Sequence, residues 1–256
     1  LTLVGNGGKL DGKEEMDVTY SAENPLNLRD YPFAWKGYAL VGWAADKEGT
    51  KLVTDATGHL KQLDDATLYA VWLKVPESNY VILQGSYAGA HATKAGYSSI
   101  AMSADGTVRL PEVEQNKMEL WRRSDTNEPY FPGETISVPS GTRFGRILFY
   151  NARNIIIFDG NGGTMTDTVN GAQCTVTRRW ASFSESDSNY VCPRFAMEGY
   201  TMTGYKDGNG RFYPGSDISV TADMKNPTIL YAQWKKIDSS EDVLWIDGFA
   251  YTAREN

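Results

Sequence analysis

Two histidines and two cysteines in 256 residues leave little room for catalytic or metal chemistry. Neither His59 nor His91 falls in a His-Glu-x-x-His arrangement, and no Gly-x-Ser-x-Gly elbow occurs. Both histidines sit among Gly, Ala and Thr in turn-like stretches, which suits solvated loops better than an active site. Cys174 and Cys192 have 17 residues between them and no His near them. A closed zinc site needs four ligands, so the pair suits a disulfide better than a metal; two buried thiols are the other reading. No metal and no cofactor is expected. No apolar run is long enough to span a membrane as a helix. Basic residues number 25 against 32 acidic ones, a net charge of -7, which argues against nucleic acid as a partner because phosphates demand a basic face. There is no basic stretch followed by an apolar one to mark a signal peptide. Leu1 aligns with Ile156 in mid-strand, so the chain reads as a mature or excised piece of something longer.

What the chain does have is repetition. Lys36-Gly37-Tyr38-Ala39-Leu40-Val41-Gly42-Trp43 is echoed by Glu198-Gly199-Tyr200-Thr201-Met202-Thr203-Gly204-Tyr205, and Leu68-Tyr69-Ala70-Val71-Trp72 by Leu230-Tyr231-Ala232-Gln233-Trp234 in the same register. Self-similarity at a fixed period marks an array of like units. Each unit opens alike, on Gly5-Asn6-Gly7-Gly8 and on Gly160-Asn161-Gly162-Gly163. Asn-Gly after an apolar strand is a hairpin signal, since both central positions of a type I′ turn need positive φ. From Gly-Gly to Gly-Tyr the first unit has 28 intervening residues and the later one 35, an insertion of loop size.

The middle of the chain carries a third, eroded unit. Pro132-Gly133-Glu134-Thr135-Ile136-Ser137-Val138 lines up without gaps on Pro214-Gly215-Ser216-Asp217-Ile218-Ser219-Val220, and the same offset of 82 brings Ile147-Leu148-Phe149 onto Ile229-Leu230-Tyr231. The expected organisation is therefore unit one at 1–74, a divergent unit two at 75–153, unit three with its insertion at 154–236, and a linker with the possible start of a following domain at 237–256. Period-two alternation dominates, so the fold class is mainly β or α+β with little helix. The best helical stretch is one short turn near Asn24 to Asp30, where Pro25 suits an early helical position.

At these phrases the chain resembles the Listeria–Bacteroides repeat, the B-repeat type of internalins. Its pattern is a strand, an Asn-Gly-Gly turn, a Gly-Tyr-x-Phe-x-Gly-Trp phrase and a closing Leu-Tyr-Ala-x-Trp strand. Unit one supplies Asn6-Gly7-Gly8, Gly37-Tyr38, Gly42-Trp43 and Leu68-Tyr69-Ala70-Val71-Trp72, and unit three Asn161-Gly162-Gly163, Gly199-Tyr200, Gly204-Tyr205 and Leu230-Tyr231-Ala232-Gln233-Trp234, with Tyr205 in place of the pattern's Trp. An added hydroxyl there needs a partner if it is buried. The resemblance implies a tandem array of three small β-grasp-like units, on a secreted or wall-attached bacterial protein. It implies adhesive or spacer modules and carries no catalytic residues.

Candidate binding residues are sought where the copies differ. Arg178, Arg179, Trp180 and Tyr190 flank a stretch inserted in unit three, Ser182 to Asn189, and an aromatic beside Arg on a surface loop is the composition of a binding hot spot. The opposing reading makes Trp180 the cover of its own unit's core. Trp43, Trp72, Tyr69, Tyr205, Tyr231 and Trp234 recur at equivalent positions and are expected in cores. Asp159-Gly160-Asn161-Gly162 and Asp207-Gly208-Asn209-Gly210 lack the alternating oxygen ligands of a calcium loop, so turn chemistry accounts for both. The expected function is a non-enzymatic repeat region meeting an unknown protein or glycan on a host or cell surface, or serving as a spacer. The alternative is a carbohydrate-binding or accessory region of a larger secreted hydrolase, with Trp180, Tyr190 or Trp35 stacking on sugars.

Overall fold

The computed structural model describes residues 1–21, 23, 25–55, 59–60, 66–84, 96–112, 119–149, 154–169, 171–183, 189–214, 217–219, 228–237, 243–246 and 249–252. The chain divides into two compact units, Leu1–Leu110 with Thr135–Ile147, and Pro111–Glu134 with Leu148–Asn256. Described residues are mainly in strands, as the period-two alternation predicts.

The first seven strands are β1 (Thr2–Val4), β2 (Glu15–Asp17), β3 (Leu26–Asn27), β4 (Tyr38–Ala44), β5 (Leu52–Asp55), β6 (His59–Leu60) and β7 (Thr67–Lys74). They form a five-stranded sheet in the order β2-β1-β7-β4-β5 and a small accessory pair, β3 with β6. The opening and closing strands lie side by side and parallel, Thr2 opposite Thr67 and Val4 opposite Tyr69. The expected helical turn is a single 3₁₀ turn at Leu28–Asp30, capped by the Asn27 side chain, which accepts from the Arg29 N–H. His59, expected in a loop, stands in β6 opposite Asn27. His91 lies outside the described residues.

The Asn-Gly signal is half right. Asn6 and Gly7 do take positive φ, 47° and 106°, and the Gly8 N–H donates to Gly5 O at 2.9 Å. Yet the turn does not join β1 to its hairpin partner: Val4 pairs with Glu15, beyond a second tight turn at Asp11-Gly12. Asp11 and Gly12 also have positive φ, and Leu10 and Lys13 exchange both backbone bonds across them at 2.9 Å. The two-residue hairpin thus sits at the Asp-Gly pair, while the Asn-Gly turn faces β7.

The middle strands are β8 (Tyr80–Gln84), β9 (Tyr97–Ala101), β10 (Thr107–Arg109), β11 (Glu119–Arg123), β12 (Pro129–Tyr130), β13 (Thr135–Ser137) and β14 (Arg143–Leu148). β8 is antiparallel to β9 and parallel to β14. β10 pairs with β13 in an accessory sheet like β3 with β6, and β11 forms an antiparallel pair with β12 as β4 does with β5.

Then follow β15 (Asn154–Asp159), β16 (Met165–Val169), β17 (Ala172–Val176), β18 (Arg178–Phe183), β19 (Asn189–Val191), β20 (Tyr200–Asp207), β21 (Phe212–Pro214), β22 (Asp217–Ser219) and β23 (Thr228–Lys236). Their sheet order, β18-β15-β23-β20-β21, repeats that of the first seven strands, again with β15 and β23 parallel, and β19 pairs with β22 as the accessory sheet. The hairpin β16–β17 is a lengthened form of the tight Leu10–Lys13 hairpin: Thr164 bridges Ala196 just before it as Lys9 bridges Ala34. Ser182, expected in an inserted loop, lies inside β18, and 184–188 are outside the described residues. A hairpin of β24 (Val243–Ile246) and β25 (Phe249–Thr252) follows.

Each repeat sheet buries two faces. In the first, Leu3, Trp43, Leu68, Ala70 and Trp72 form the inner core with Leu26, Leu28 and Phe33. The other face, Ala39, Val41 and Val71, packs on Ile82 of β8 and Tyr97 of β9. In the third, Ile156, Phe158, Tyr205, Leu230 and Ala232 form the inner core, while Ile155 and Ile157 pack on Leu120 of β11 and on Phe131. Both junctions follow one rule, the β4-like side of one set of strands against the β1-like side of the next.

Candidate functional site

The twice-used phrases meet in space. Asn6 Nδ2 donates to Ala70 O at 3.1 Å and to Lys47 O at 3.0 Å. From the other side, the Trp72 Nε1–H donates to Gly5 O at 2.8 Å. Strands β15 and β23 carry the same clasp: Asn161 Nδ2 donates to Ala232 O at 3.0 Å and Trp234 Nε1 to Gly160 O at 3.0 Å. The glycines make room for it. A Cβ on Gly8 would stand 2.2 Å from Trp72 Cζ2, and one on Gly163 would stand 2.3 Å from Trp234 Cζ2. The motif therefore ties the turn after the opening strand to the closing strand, and its donors and aromatic faces are turned inward.

Tyr205, which replaces Trp43, is fully buried and donates its hydroxyl to Pro193 O at 2.6 Å. Burial pushes its pKa well above the ordinary tyrosine value, so it stays a neutral donor. The Trp43 indole N–H is buried with no acceptor among the described residues.

Of the candidate binding residues, Arg178 and Trp180 point to one face of β18 and Arg179 and Tyr190 are associated with the other. Arg178 donates from Nε to Asp159 Oδ2 and from Nη1 to Glu134 Oε2, both at 2.7 Å, and its guanidinium lies 5.1 Å from the Tyr130 ring centre. Burial alone would lower its pKa; Glu134 and then Asp159 raise it above the ordinary value. Trp180 packs edge-on against Phe149, centroids 5.1 Å apart, beside Ile155 and Ile157. Arg179 pairs with Asp167. Tyr190 stacks on Phe158 at 5.6 Å and meets Phe183 edge-on at 5.2 Å.

Of the acidic partners, Asp159 entered the sequence reading only as a turn residue, and Glu134, Glu128 and Asp125 were not singled out. Glu128, 4% exposed, accepts from Thr177 N–H at 2.7 Å and Thr177 Oγ1 at 2.8 Å through one oxygen, and from Arg123 Nη1 at 3.2 Å through the other. Arg123 also holds Asp125 in a two-pronged pair. Tyr130, buried beside Glu128, has its pKa pushed up to about 12. The signal available was that Glu134 and Thr135 stand against Ser216 and Asp217 between matched Pro-Gly and Ile-Ser-Val stretches.

Cys174 and Cys192 are not bridged. Cys192 is buried in the third repeat's core, whereas Cys174 sits on the β16–β17 hairpin with Sγ 3.9 Å from Thr126 O. Burial, then the nearby Asp167, raises the Cys174 pKa. Asp207 Oδ1 accepts from Asn209 and Arg211 N–H at 3.0 and 2.9 Å, and Asp159 Oδ1 from Asn161 N–H at 2.8 Å; both acids shape turns. Among the described residues no group of three or more His, Cys, Asp or Glu could hold a metal, and no helix could cross a membrane.

Residues 2–71, which hold the first clasp from end to end, match the model of the Listeria–Bacteroides repeat domain. The repeat family is generally non-catalytic and typical of bacterial surface and secreted proteins. No curated protein and no solved structure matches the chain.

Proposed function

We propose that the chain is a three-copy Listeria–Bacteroides repeat region of a bacterial secreted or surface protein, and that it acts as a non-enzymatic spacer that sets its neighbours apart. Copies at 1–74, 75–153 and 154–236 are supported by the recurrence of one strand plan: a parallel opening–closing pair, an antiparallel edge and a two-stranded accessory sheet. The observation that carries the spacer reading is the clasp, which commits the repeated Asn and Trp donors to carbonyls of their own copy, although Tyr200 of the third copy's Gly-Tyr phrase is 37% exposed. Within each compact unit one packed junction, Val41–Ile82 or Leu120–Ile155, holds neighbouring strand sets together.

Adhesion to a protein or glycan remains the second reading, and the exposed aromatics are its best support. Trp35 is 38% and Phe212 47% exposed, although Tyr38 already stacks on one face of Trp35 at 4.1 Å. The test is a glycan-array and surface-protein binding screen with the whole chain, run beside assays for glycoside and peptide hydrolysis. The spacer reading expects neither saturable binding nor turnover. Saturable binding abolished by Trp35→Ala in a folded chain would replace it with adhesion, and turnover would end the non-enzymatic reading.

A further inference from the structure

We propose that the terminal copies are built to bear tension along the chain, with the Asn–Trp clasp as the part that sets their resistance. The proposal rests on the spacer reading. In the first copy, β1 and β7 are hydrogen-bonded neighbours and run parallel, Thr2 opposite Thr67, Leu3 opposite Leu68 and Val4 opposite Tyr69. In the third, β15 and β23 do the same from Ile156–Thr228 to Asp159–Tyr231. Tension enters a copy at the start of its opening strand and leaves at the end of its closing strand. For a parallel pair those points lie at opposite ends of the ladder, so the load slides one strand along the other and falls on all the rungs together. An antiparallel hairpin pulled from its two free ends would open one rung at a time.

The clasp lies across the same two strands. Asn6 reaches the carbonyl of Ala70, one residue beyond the last rung at Tyr69, and Trp72 reaches back to Gly5, one residue beyond Val4. Asn161 to Ala232 and Trp234 to Gly160 repeat this one residue beyond the Asp159–Tyr231 rung. Sliding β1 along β7 must break both bonds and drag the indole across Gly8, which leaves no room for it to move inward. The middle copy keeps the parallel pair, Arg143 opposite Ile82 to Gly145 opposite Gln84. It has no Asn-Gly after β8, and by the offset of 82 Ala152 stands where the third copy has Trp234. Its strands should part first.

The experiment is constant-force pulling of the whole chain from its two ends. Forced unfolding reads the unfolding rate, and full extension at about 3.6 Å per residue makes the third copy's step, at about 80 residues, longer than the first copy's at about 70. The expected record is an early step from the middle copy and two slower steps from the terminal ones. Trp72→Phe keeps an aromatic ring, though a smaller one, and removes the donor, and loss of one such bond should raise the first copy's unfolding rate roughly tenfold. The third copy's step should not change. Trp234→Phe should do the converse, and Asn6→Ala provides a second variant if Trp72→Phe folds poorly. The proposal is overturned if these variants lower equilibrium stability but leave the rates under force unchanged, or if the middle copy outlasts the others. Binding or turnover by the chain would refute the spacer reading without altering these rates, so the two failures are distinguishable.

Discussion

At the scale of single residues, small groups decide where large ones go. Gly8 has no positive φ to require a glycine; what excludes a side chain is Trp72, 2.2 Å from where a Cβ would stand. Gly8→Ala should cost about 3 kcal/mol or more, as overpacking a filled site does. Trp72→Ala should cost about 3 to 5 kcal/mol. Because the two share one space, the double variant should be less destabilised than the sum of the singles, a coupling that denaturant melts of all four proteins can read. A strictly additive result would mean that Gly8 and Trp72 do not compete for that space. Tyr205→Phe, which removes the buried hydroxyl's bond to the half-buried carbonyl of Pro193, should lose about 1 kcal/mol in the same melts. The thiols make a separate prediction. Under denaturation without reductant the chain should titrate two thiols, and Cys174, its pKa raised by burial and by Asp167, should react slowly at neutral pH while folded. A count of zero would establish a bridge.

At the scale of strands, one bulge separates the copies' surroundings. Register slips between Leu40 and Gly42 in β4 and between Met202 and Gly204 in β20, leaving Val41 and Thr203 as the extra residues. Val41 is fully buried among Ala39, Val71 and Ile82, while Thr203 is exposed. Val41→Asp should therefore lower the thermal midpoint by several degrees or prevent folding, and Thr203→Asp should be near neutral. Equal effects would contradict the assignment of the Val41 face to a junction.

This is also the scale at which the sequence was most and least legible. Alternation and the repeated phrases placed the closing strands and the turn at Asn6, because strand period and positive-φ turns are local properties. The Asn-Gly turn's orientation toward β7 was not legible, since it depends on a carbonyl 64 residues away. Nor were the inward positions of Arg178 and Trp180, which follow from carboxylates and rings contributed by strands distant in sequence. Composition marked the Arg-Arg-Trp stretch as a surface, whereas Glu134, Asp159 and Phe149 occupy it.

At the scale of the whole molecule, the account is of a scaffold whose most repeated residues hold each copy closed. Its charge should shape its acid response. Asp125 has its pKa lowered: burial opposes this, but the hydrogen bond and charge of Arg123 outweigh it. Asp46 is lowered by bonds from Thr50 and Lys51. A depressed carboxyl pKa contributes stability above the unfolded value that is lost as pH falls through the folded one. The chain should thus be steady at neutral pH and weaken below about pH 4, the unfolded Asp value, in a melt series against pH; a flat profile down to pH 2 would refute these carboxyl roles. The central claim is that the twice-used phrases serve the fold and not a site. Its most direct test is equilibrium unfolding of Trp72→Phe and Trp234→Phe side by side. The account predicts a loss of about 1 to 3 kcal/mol in each. Full stability in both variants would contradict it.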